Sequence, residues 1–139
     1  TEARFADTGY AREIYSRLAR ELIANGTTRV CMFSSLHTDA TLILMEELEK
    51  AGVTGYVGKV NMDRNAAPGL LEETTEESRR ETLRWLDACQ DFRLVKPMLT
   101  PRFTPSCTDE LRQMCIRDRS WPTAYGPMRG SGRPCGTPA

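Results

Sequence analysis

The 139-residue chain has a single histidine, His37, and its five cysteines (Cys31, Cys89, Cys107, Cys115 and Cys135) form no C-x-x-C pair. Zinc requires three or four converging N, S or O ligands, so this supply argues against a self-contained zinc site and for free thiols in a reducing cytosol. No apolar run approaches the roughly eighteen residues of a membrane span, and "TEARFADTGYAREIY" carries charges where a signal peptide needs an apolar stretch. Neither a G-x-G-x-x-G turn nor a P-loop follows any apolar run, which removes the usual glycine cradles for dinucleotides and phosphates. Charge of one sign is missing as well. Nineteen basic and nineteen acidic residues balance, so no whole-chain field favours nucleic acid or an anionic membrane.

The balance conceals a shift along the chain. From Arg112 onward five arginines face the single Asp118, a net of plus four, which leaves residues 1–111 at minus four. Gln113 to Arg119, "QMCIRDR", resembles the translation of a transposon end used in sequencing adapters. The following "SWPTAYGPMRGSGRPCGTPA" has no Val, Ile or Leu and no period of 2 or 3.6. Residues 1–111 are therefore expected to form the folded unit, and residues 112–139 a non-native or disordered tail.

Within residues 1–111 the apolar pattern predicts alternating elements. "YAREIYSRLARELIANG" places Ile14, Leu18 and Leu22 on one helical stripe, flanked by Tyr15, Ala19 and Ile23, with Gly26 at the C-terminal end. Thr27 to Phe33 reads as a buried strand, and "HTDATLILMEELEKAG" as a helix capped by Thr38 or Asp39 and stopped by Gly52. A second strand is expected over Gly55 to Val60, followed by a loop broken at Pro68-Gly69. Thr74 and Glu77 have capping-box spacing, so a third helix starts there, with a stripe of Leu83, Leu86 and Cys89 and Trp85 at its edge. "FRLVKPMLT" supplies a third strand. This order argues for parallel strands, either in an open doubly wound sheet or in an arc of a (β/α)8 barrel. The strand ends carry His37, then Asn61, Asp63 and Arg64, then Arg102 and Phe103.

Five segments, "TEARFAD", "LHTDAT", "GYVGKVNMDRNAAP", "EETTEES" and "VKPMLTPRFTPSC", resemble the guanine deaminases of the amidohydrolase superfamily, in that family's order from Thr1 to about Leu111. The resemblance implies a partial TIM-type barrel running from helix 1 to strand 4. It also implies a zinc-dependent, cytoplasmic enzyme that hydrolyses guanine to xanthine and ammonia, and it allows a homodimer at full length. In such enzymes a metal-bound water attacks the purine carbon bearing the amino group, and an acidic side chain carries the proton to ammonia. Arg102 and Phe103 match the family's purine-binding pair: planar donors for purine acceptors beside an apolar face, on a loop restricted by Pro101 and Pro105. The family's H-x-H would precede Thr1, and its later histidines, aspartate and glutamate would follow Leu111. The chain is thus expected to be an internal fragment without metal ligands or catalytic residues, inactive alone.

The other polar residues have simpler readings. His37 suits a cap or the site mouth, Asp63 a turn or an Arg64 partner, and Lys59 a salt-bridged core lysine that points into the barrel. Glu72, Glu73, Glu76 and Glu77 place favourable charge at a helix N-terminus. Two further readings stay open: an amidohydrolase acting on a related heterocycle, and a small non-catalytic α/β module that binds partners through its sheet edge and the Arg102-Phe103 loop.

Overall fold

The computed structural model describes residues 2–65 and 74–117. A 3-10 turn, Glu2–Ala6, leads into α1 (Thr8–Ala24), followed by β1 (Arg29–Phe33), α2 (Thr38–Ala51), β2 (Thr54–Gly58) and β3 (Val60–Asn61). Helix α3 (Thr75–Ala88), β4 (Val95–Pro97), β5 (Thr100–Pro101), a second 3-10 turn at Thr104–Ser106 and α4 (Asp109–Arg117) complete the described chain. Each of the last two expected strands is thus two short ladders. The break falls at Lys59, whose carbonyl accepts from Thr100 Oγ1 at 2.6 Å.

Strand order decides between the two architectures. Strands β1, β2 and β4 are parallel neighbours in chain order, and β3 pairs in parallel with β5 beyond them. A doubly wound sheet reverses strand order at a switch point and carries helices on both faces, whereas a barrel arc adds strands in sequence with every helix outside. Here Val30, Val57 and Val95 join one core with Tyr15, Leu44, Met45 and Trp85 from the three helices. On the opposite face Cys31 and Tyr56 lie in register, and Phe33 is 58% exposed. The chain is an arc of a (β/α) barrel, helices on one side and the inward-facing strand residues on the other.

Local chemistry explains where the elements start and stop. Asp7 caps α1 by accepting from the Gly9 and Tyr10 amides at 2.8 and 3.2 Å. At its other end Gly26, at φ 78°, permits a Schellman closure in which the Thr27 amide donates to the Leu22 carbonyl at 2.8 Å. Helix α2 is capped by His37, not Thr38 or Asp39. The Thr41 amide and hydroxyl both donate to the His37 carbonyl, while Thr38 Oγ1 is committed to Glu81 at 2.9 Å. The α1 stripe is also turned by one position from the expected one. Ala11, Tyr15 and Ala19 are buried, whereas Ile14, Leu18 and Leu22 are half-buried, because two alanines let α1 approach α2 closely and Tyr15 reaches Ser34 at 3.1 Å. Trp85, expected at an edge, is fully buried at the centre of the α3 face formed with Ser78, Thr82, Leu86 and Cys89.

The boundary expected after Leu111 falls inside an element. Helix α4 runs through it because Thr108 Oγ1 accepts from the Leu111 amide at 3.2 Å, the usual N-cap geometry, and Leu111 itself is fully buried. The Pro68-Gly69 break, Glu72, Glu73 and the chain from residue 118 lie outside the described residues.

Candidate functional site

The C-terminal ends of the strands converge on two loops. The first, Met62 to Asn65, follows β3, and the second, Arg102 to Thr108, follows β5. Residues 61–65 hold the second loop almost residue by residue. The Arg102 amide donates to the Asn61 carbonyl at 3.2 Å, and the Asp63 and Arg64 amides donate to the Ser106 carbonyl at 3.2 and 3.3 Å. Arg64 Nη2 donates to the Thr104 carbonyl at 2.9 Å and Asn65 Nδ2 to the Pro105 carbonyl at 2.7 Å. The Cys107 thiol points at the Asn61 carbonyl at 3.4 Å. Asn65 makes its contact from the left-handed region, φ 53°, which asparagine tolerates better than most residues.

Asp63 occupies the junction. Its Oδ1 accepts the Thr108 amide at 2.8 Å, and its Oδ2 accepts the hydroxyls of Thr108 at 2.5 Å and Thr75 at 2.8 Å. Burial pushes its carboxyl up, but these hydrogen bonds from Thr108 and Thr75 more than offset it and hold the group below the ordinary carboxylate range. The expected turn role was too local: Asp63 links the loop after β3 to the first residue of α3 and the cap of α4.

Arg102 and Phe103 stand on this pinned loop with their side chains exposed. Phe103 is 56% exposed. The Arg102 side chain is 42% exposed; its Nη1 lies 3.3 Å from Glu2 Oε2 and 3.6 Å from Met62 Sδ. Glu2 is one hundred residues away in sequence, and no local spacing marks it as a partner.

The other polar residues lie apart from this pair. His37 lines a cleft of about 380 Å³ between the N-terminal parts of α2 and α3, with Phe5, Asp39, Glu77, Glu81 and Arg84. In that cleft Arg84 bridges Asp39 and Glu81, each at 2.9 Å. Burial raises the Glu81 carboxyl, but hydrogen bonds from Arg84 and Thr38 and the charges of Arg84 and Lys59 bring it below its ordinary value. Lys59 is buried, and strand alternation places it on the face of Val57 and Asn61, where the Asn61 amide donates to Ser78 and Thr82 of α3, each at 2.8 Å. It therefore faces the helices and Glu81, not the barrel interior. Glu76 and Glu77 sit in the first turn of α3, where Thr74 Oγ1 accepts from the Glu77 amide at 3.0 Å.

Zinc finds no cage in these residues. Among the described residues no group of three or more His, Cys, Asp or Glu side chains could hold a metal ion. Nor is any described helix long and apolar enough to cross a membrane.

Comparison with known proteins extends the geometry. Guanine deaminase of Mus musculus is 47% identical over 113 residues, which is 80% of this chain and 25% of that protein. The crystal structure of guanine deaminase from C. acetobutylicum with guanine bound in its active site superposes with a TM-score of 0.78 at 44% identity, covering 82% of this chain and 27% of that one. The E. coli guanine deaminase structure gives a TM-score of 0.78 at 32% identity, covering 84% and 27%. The chain thus spans about a quarter of the length of the curated relatives it matches. A model of the Amidohydrolase family matches residues 3–120, most of the sequence and all four helices, and the chain belongs to that family.

Proposed function

We propose that this chain is the part of a guanine deaminase that recognises the purine, and that Arg102 and Phe103 are the residues that touch it. The observation that carries the reading is their placement: a guanidinium and an aromatic ring, both exposed, on a pinned loop at the C-terminal end of a barrel strand, where barrel enzymes carry their chemistry. Arg102 offers planar N–H donors to acceptors on the purine, and Phe103 offers a face for its ring. Similarity to a guanine deaminase with guanine in its active site supports the choice of base.

The reading assigns recognition to this chain and no step in the activation of water. In the full-length enzyme the hydrolysis would release ammonia and leave xanthine, with a zinc ion supplying the activated water from ligands other than those described. The same reading places that enzyme in the cytoplasm, allows it to be a homodimer, and treats residues 1–111 as the native barrel segment.

A segment exchange tests it. Residues 3–111 replace the matching stretch of E. coli guanine deaminase, and ammonia release is followed with guanine and with related heterocycles. Guanine deamination is expected, and Arg102→Ala should lower kcat/KM about 10- to 100-fold, the range for losing hydrogen bonds from a charged donor. A folded exchange enzyme that prefers another heterocycle, or one indifferent to Arg102, would refute the assignment.

A further inference from the structure

The polar residues after β3 look in sequence like candidates for chemistry, yet their hydrogen bonds run to the neighbouring loop. We propose that residues 61–65 form the positioning element for Arg102 and Phe103, with Asp63 as its anchor, so that these residues govern purine recognition without touching the purine. The inference rests on the reading of Arg102 and Phe103 as the purine-binding pair.

The argument is one of geometry. A loop that must present two exposed side chains gains little from a core of its own, so its backbone has to be fixed by something else. Here positions 102, 104, 105, 106, 107 and 108 each contact the 61–65 segment, and Phe103 lies between pinned neighbours. Asp63 contributes most, because a carboxylate accepting an amide and two hydroxyls makes charge-assisted bonds, about twice as strong as neutral ones. A loop fixed before the ligand arrives spares the binding step the cost of ordering it.

The test uses the 139-residue chain with Asp63→Asn, Thr108→Val and Asn65→Gly, and Thr108→Ser as the conservative control. Amide exchange at Arg102, Ser106 and Thr108 should quicken about 10- to 100-fold in Asp63→Asn and Thr108→Val, while Thr108→Ser, which keeps the hydroxyl, stays near the parent. Amides of β2 and α2 should be unchanged. Asn65→Gly removes a single surface hydrogen bond while allowing the positive φ, so it reports even where Asp63→Asn fails to fold. Unchanged loop protection, or loosening spread equally through α2, would overturn the proposal.

Guanine is then titrated while the Phe103 ring and Arg102 resonances are followed. Binding is expected to weaken about tenfold in Asp63→Asn and Asn65→Gly and to be kept in Thr108→Ser. Equal affinity in all variants overturns the positioning role. If guanine moves neither residue in the parent chain, the purine-binding reading fails, and the exchange data still decide whether residues 61–65 order the loop.

Discussion

Glu49 gives the sharpest test of how this barrel arc holds together. Its carboxylate, on the last turns of α2, accepts three consecutive backbone amides at the entrance to β4. Oε1 takes Arg93 at 2.9 Å and Leu94 at 3.2 Å; Oε2 takes Leu94 at 3.0 Å and Val95 at 3.1 Å. Burial raises this carboxyl, but the three amides outweigh it and hold the group below the ordinary carboxylate range. Glu49→Gln keeps one acceptor and turns the other into an NH2 group facing amide donors, so hydrogen bonds to a charge are lost while the shape is kept. Such bonds contribute about 1.5–3 kcal/mol each, and solvent access at this half-buried site brings the expected loss to about 2 kcal/mol in total. With a urea m-value near 1–2 kcal/mol/M for a domain of this size, the midpoint should fall by about 1–2 M.

The pH dependence gives the claim its sign. A carboxylate whose pKa is depressed by folding contributes stability that is present above its unfolded pKa, about 4.3, and is lost as pH falls through the folded value. The difference between parent and Glu49→Gln should be full at pH 7 and shrink as the solution is acidified below about pH 4.3. Glu47, Asp63 and Glu81 are also depressed, but they are common to both proteins and cancel in the comparison. A difference below about 0.5 kcal/mol at pH 7, the scatter of ordinary surface changes, would refute the staple. So would a difference that does not change with pH.

Gly55 sits at φ 144°, and a Cβ there would lie 1.9 Å from the Val30 carbonyl oxygen, so Gly55→Ala should cost at least about 2 kcal/mol by urea unfolding. Gly26→Ala, with nothing within 4 Å, should cost only the left-handed backbone penalty of about 1–2 kcal/mol; equal losses would show that the Val30 contact is relieved by a shift of β1. The Cys89 thiol is pushed up to about 12 by burial, so iodoacetamide at pH 8 should leave it unmodified in the native chain while the exposed Cys31 is labelled, as read by peptide mass spectrometry. Labelling of both at similar rates would contradict the packing of α3 on α2. The 139-residue chain alone should release no ammonia from guanine, even with added zinc; measurable release would mean that the reading of the site is wrong.

The fold was largely legible because its signals are short-ranged. Gly52 stops α2 and the Thr74 cap starts α3, each within a few residues of the pattern that announces it. What escaped depended on neighbours distant in the chain. A helical stripe gives the side of α1 that faces inward only to within a position, and the close approach to α2 selected Ala11 and Ala19 over the larger Ile14 and Leu18. Trp85 is fully buried in one core with residues of α2 and the strands, which periodicity along α3 alone does not reveal. Thr108 of "TDEL" is a legible cap for α4, whereas the full burial of Leu111 depends on neighbours that the local pattern does not name.

The site divides along the same line. Residue type at a strand end singled out His37, Asn61, Asp63, Arg64, Arg102 and Phe103 together, because all six are polar or aromatic where barrel enzymes place chemistry. Only the hydrogen bonds separate them. Asp63 gives its carboxylate to Thr75 and Thr108, and Arg64 gives Nη2 to Thr104 and its amide to Ser106. Arg102 makes one ion pair, 3.3 Å long and open to solvent, and Phe103 stays outside the core. A guanidinium held by one solvent-accessible carboxylate can exchange that partner for a ligand at little cost, since such pairs are worth about 0–1 kcal/mol, whereas Asp63 would have to give up an amide and two hydroxyls. Arg102 and Phe103 are the exposed pair on the loop that Asp63 and Arg64 hold.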